Sequence, residues 1–137
     1  MTTAEAKELL LFHSGDHEVF GHRTWEDGFL GSLYPYSGLK KENLHEVIEA
    51  LRVLAPELQQ DKLDREIVNA LWGICFFARY WGLDSDGMLR RNNLIETEDV
   101  KKLKNWVTAI SFAIAMILDG HDVDETLKEL DSDISRA

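Results

Sequence analysis

A single cysteine, Cys75, leaves this chain no internal disulfide. It lies in the most apolar segment, which fits a reducing cytoplasm and a thiol acting as a small hydrophobe. Basic residues are also scarce, at 15 against 25 acidic ones, for a net charge of −10. Nucleic-acid binding needs a face that neutralises phosphate, and that balance argues against one. The amino-terminal MTTAEAKELL has no basic region followed by an apolar run, so no secretory signal is expected. The strongest apolar run, 106–118, contains Thr108 and Ser111 and is too short for a membrane span. No alternating strand of useful length, internal repeat, glycine-rich phosphate loop or Gly-x-Ser-x-Gly turn occurs.

What is present is helical periodicity over the length of one domain, 1–137. Leu44, Val47, Ile48, Leu51 and Leu54/Ala55 form one stripe ending at Pro56. Val100, Leu103, Val107, Ile110, Ile114 and Leu118 form another, with Thr97 at its start and Gly120 at its end. In 64–84 the apolar residues cover nearly the whole circumference: Ile67, Leu71, Ile74, Ala78 and Trp81 on one line, Val68, Trp72, Cys75, Phe76, Phe77 and Tyr80 around the rest. Such a helix is expected to be packed on several sides. Asp61 is expected to cap it and Gly82 to end it. The predicted fold is an all-α bundle of four to six helices around an antiparallel pair at about 62–82 and 98–118. The segment 13–38, with five glycines, is expected to be irregular, apart from a short helix opened by Thr24 and Asp27 and running through about Leu33. The stretch 119–137 holds seven acidic residues against Lys128 and Arg136 and is expected to be a solvated acidic tail.

Candidate chemistry is sparse. His13, His17 and His22 cluster, but their spacing is not that of a zinc-protease helix, so a zinc site there needs a loop to gather the rings. The acidic runs from Asp84 and Asp122 fail the calcium-loop pattern at its sixth and other positions. Cys75, flanked by Ile74, Phe76 and Phe77, is expected to stay a neutral thiol. Arg79, inside the apolar helix, is expected to be buried against Asp64, Glu66 or a tail carboxylate. Arg90 and Arg91, with Asn92 and Asn93, form a cationic spot suited to helix capping or to carboxylate recognition, the latter implying a small-ligand pocket.

One carboxylate pattern has enzyme logic. His45-Glu46-Val47-Ile48-Glu49, followed by Glu66-Ile67-Val68-Asn69, resembles the Glu-Glu-x-x-Glu and Glu-x-x-Asp motifs of the all-helical nucleotide pyrophosphohydrolases of the MazG-like type. The resemblance covers about 25 residues, with His45 for glutamate and Asn69 for aspartate. It implies Mg²⁺ or Mn²⁺ held by Glu46, Glu49 and Glu66, with His45 and Asn69 beside them. The reading preferred from sequence is instead a non-catalytic, cofactor-free protein that binds another protein, an inhibitor-like or adaptor-like domain with a basic partner. Trp25, Phe29, Tyr34, Tyr36, Arg90 and Arg91 are its expected contact residues.

Overall fold

The computed structural model describes residues 1–17, 19, 20 and 23–135, with backbone only for Val19, Phe20 and 131–135. Helix α1 (Thr3–Ser14) starts where Thr2 Oγ1 accepts from Glu5 N–H and the Glu5 carboxylate accepts from Thr2 N–H. It stops at Gly15, whose φ of 82° suits a residue without Cβ. A two-residue antiparallel ladder, β1 (Val19–Phe20) on β2 (Arg23–Thr24), leads into a 3₁₀ turn, Trp25–Asp27. The short helix expected to continue towards Leu33 breaks off at Gly28 instead. The chain then coils inward, burying Phe29, Leu30 and Leu33.

Helix α2 (Lys41–Leu58) buries the whole predicted stripe. It carries Pro56 within its last turn rather than ending there, since Ala55 and Leu58 hold that turn down by burial. Helix α3 (Arg65–Ala78) is capped by Asp64, not Asp61, because the Asp64 carboxylate accepts from Glu66 N–H at 2.9 Å. It runs on without a break into a wider turn, Arg79–Leu83, closed by Asp84 N–H to the Arg79 carbonyl at 2.9 Å. Gly82 therefore lies inside the helix. A Cβ there would stand 2.6 Å from Leu103, so glycine serves the close approach of two helices. A single turn, α4 (Met88–Arg91), precedes α5 (Thr97–Leu118), and α6 (Val123–Ser135) closes the chain.

Helix α1 packs on α2 and α3, and α5 packs on α2, α3 and α6. The pair α3 and α5 is antiparallel: Gly82 meets Leu103, Arg79 meets Ser111, and Val68 and Leu118 share the far end. The core runs through Leu10, Leu44, Leu51, Ile74, Leu103 and Ile110, all fully buried. The expected solvated tail is partly core, since α6 buries Thr126, Leu127 and Leu130 and is tied to α2 by Arg52–Asp124 at 2.8 Å. Among the described residues no helix is long and apolar enough to cross a membrane.

The expectation that 64–84 is covered on several sides is corrected. Among the described residues the faces of α3 towards α1 and α5 are buried, and the third faces solvent. Trp72 is 72% exposed, Phe76 45%, Phe77 39% and Tyr80 55%.

Candidate functional site

Three places gather the chemistry-bearing residues. The first is a polar cluster where the 23–33 segment meets α1 and α2. His13 is fully buried, and both ring nitrogens are engaged. Its Nδ1 accepts from Phe29 N–H at 2.9 Å, so Nε2 carries the proton and donates to Glu46 Oε1 at 2.8 Å. Arg23 reaches both oxygens of Glu46, at 2.8 and 3.0 Å, and lies 4.5 Å over the Phe12 ring. Asn43 continues the chain of bonds, donating to the Asp27 carbonyl at 2.9 Å and accepting from Arg23 at 3.3 Å.

Burial lowers the His13 pKa, although Glu46 opposes this. For Glu46 burial alone would raise the pKa, but hydrogen bonds from His13 and Arg23 outweigh it and hold the carboxyl ionised. Below its unfolded value near 6.5, an unfolded His13 takes a proton that the folded ring refuses, so acid favours unfolding. Glu46 adds to this below 4.5, where only the unfolded carboxyl is readily protonated. Urea midpoints should therefore fall between pH 7 and pH 5. The glutamine of His13→Gln can still donate to Glu46 and accept from Phe29 but does not titrate, so this variant should show a flatter profile. An equal slope in both proteins would remove His13 as the cause.

This network takes up two of the residues proposed for metals, His13 and Glu46. With both nitrogens in use His13 offers zinc no lone pair, His17 is half-buried, and His22 lies outside the described residues. Glu46 faces His13 and Arg23, Glu49 bonds Arg52 at 3.4 Å, and Glu66 bonds Lys7 at 3.2 Å. His45 and Asn69 are exposed. The five residues of the pyrophosphohydrolase-like pattern are therefore not drawn onto one ion. Among the described residues no three His, Cys, Asp or Glu side chains are grouped to hold one.

The second place is a cleft of about 420 Å³ between Tyr34, Tyr80, Trp81, Asp84, Asp86 and Arg91. Tyr34 stacks on Trp81 at 5.3 Å, and Arg90 is turned away to cap the Leu83 carbonyl at 2.8 Å. The other expected contact residues are partly or wholly buried. Phe29 is 4% exposed and packs on Trp106, and Trp25 is half-buried over Gly15. Tyr36 donates to Asp99 at 2.6 Å; burial and that carboxylate push its pKa far up.

The third place is the uncovered side of α3. Trp72, Phe76 and Tyr80 fall four residues apart, so they line one face. Phe76 stacks on Tyr80 at 5.7 Å and meets Phe77 edge-on at 5.1 Å. Beside them α3 and α5 leave a groove of about 350 Å³. Its walls are apolar, from Leu58, Val68 and Leu118 at one end past Trp72 and Cys75 to Arg79 and Ser111 at the other. Burial raises the Cys75 pKa, opposed by Ser111, which keeps the thiol an unreactive wall atom. Arg79 is exposed, not buried as expected, and donates to Ser111 Oγ at 3.0 Å. Its expected partners Asp64 and Glu66 are both bound by Lys7.

These are the residues missed in the expected contact set. Their sequence signal was present, since a helix apolar all round has more faces to cover than a small bundle has helices to cover them. What the face can do chemically is bury apolar area against a partner. Comparison with protein-family models, curated proteins and solved structures finds no match to this chain.

Proposed function

We propose that this chain is a non-catalytic protein-binding domain that docks its partner on the aromatic face of α3 and the adjoining groove. One observation carries this: four aromatic side chains stand exposed together on a single helix. Large exposed apolar patches are uncommon on monomeric proteins and mark contact surfaces, where tryptophan and tyrosine supply much of the binding energy. The acidic remainder of the surface supports this role by keeping the chain soluble despite such a patch. The total charge of −10 favours approach of a basic partner at long range, but the aromatic face itself carries none of that acidity.

A photo-reactive amino acid placed at position 72, in cells that make the protein, tests this reading. A discrete protein adduct is expected there, and none from position 45 on the exposed polar side of α2. Absence of an adduct at 72, or the same adducts at both positions, would contradict it.

A further inference from the structure

The two walls of the groove, 67–83 and 100–118, contain no aspartate or glutamate in a chain that holds 25 of them. They carry Arg79 in the groove and Lys101, Lys102 and Lys104, all exposed, on α5. Arg79 stands at one end of an apolar trough with a neutral hydroxyl, Ser111, as its bonded partner. Among the described residues no carboxylate pairs with it. A guanidinium has five donors and matches a carboxylate two bonds at a time, so most of its capacity is unspent.

The shape of the trough narrows the choice of occupant. From 68 to 79 the α3 wall is about 16 Å long at 1.5 Å per residue, or about three helical turns. Two antiparallel helices leave between them a trough that a third helix fills by interlocking its side-chain ridges with theirs. A second copy offering the same face would bring its own Arg79 to the interface, with no aspartate or glutamate from 67–83 or 100–118 to receive it.

We infer that the groove receives one amphipathic helix of a partner protein, with apolar residues seated between α3 and α5 and an aspartate or glutamate on Arg79. This rests on the protein-binding reading above and specifies the partner's chemistry. Recognition is helix-in-groove, with anchors spaced three and four residues apart.

The test is selection from a displayed library of 18-residue amphipathic helical peptides, followed by affinity measurement on purified variants. Enriched peptides should carry an acidic residue at a fixed offset from an apolar stripe. They should lose at least about tenfold in affinity for Arg79→Ala, the loss expected of one charge-assisted pair, and nothing for Arg65→Ala, outside the groove on the same helix. Melting temperatures of both variants should match the parent, because both side chains are exposed. Peptides that need Trp72 but ignore Arg79 and share no acidic position would overturn this inference and leave the protein-binding reading intact. Self-association abolished by Trp72→Gln would also overturn it, by placing a second copy on the face. Enrichment of no Trp72-dependent peptide would overturn both.

Discussion

Changing Trp72 and Phe76 together to glutamine is expected to weaken binding of the partner cross-linked at position 72 by about 100-fold or more. Aromatic residues at the centre of an interface each cost about 2 kcal/mol or more when truncated, and tenfold in affinity is about 1.4 kcal/mol. The same double variant should keep its helical spectrum and lose only about 1 kcal/mol of stability. Trp72 is largely in solvent, and Phe76 touches chiefly Tyr80, Phe77 and the groove wall. Glutamine is also a better helix former than tryptophan or phenylalanine. Separating the two effects is the point of the variant. If stability collapses along with binding, the face is a structural surface. If both survive, the face is not where the partner sits.

The largest effect on stability is expected at Gly31. A Cβ there would overlap the Trp25 carbonyl oxygen and lie 2.6 Å from the carbonyl carbon. Those are backbone atoms, and the same carbonyl accepts from Gly28 N–H at 3.0 Å, so neither side can give way without opening the turn. Gly31→Ala should cost about 3 kcal/mol or more and lower the melting temperature by about 10 °C. Gly73 supplies the contrast. It lies within α3 with open space where a Cβ would go, so Gly73→Ala should stabilise by about 0.5–1 kcal/mol. Denaturant titrations of the two variants should therefore move in opposite directions. A mild effect at Gly31 would show that the 25–33 coil adapts and does not anchor the domain.

Periodicity disclosed the helices and their inward stripes, and the reason is local. On α2, Leu44, Val47, Ile48, Leu51 and Leu54 follow the helical spacing of 3, 1, 3 and 3 residues and are all buried. On α5, Leu103, Val107 and Ile110 are likewise buried, while Val100 and Ile114 are partly buried and Leu118, placed on the same stripe, is exposed. Periodicity states which residues share a face but not how many neighbours a helix has. That is why Trp72, Phe76, Phe77 and Tyr80 read as covered on the sequence, although among the described residues α3 packs chiefly on α1 and α5. The His13–Glu46–Arg23 cluster was hidden for another reason. Its members lie 23 and 33 residues apart and meet through a coil whose path no repeat announces. Glu46 and Glu49 share α2 as expected, yet Glu46 is drawn across to His13 on α1 while Glu49 pairs with Arg52 one turn along its own helix.

The central claim, that the outer face of α3 is covered by another protein in the cell, is most directly tested by hydroxyl-radical footprinting. Trp72, Phe76 and Tyr80 should be labelled readily in the isolated chain, in keeping with their exposure. In cells the account predicts strong protection of those three side chains, with Met1, exposed and not among the residues lining the groove, labelled equally in both settings. Equal labelling of Trp72, Phe76 and Tyr80 in the isolated chain and in cells would contradict it.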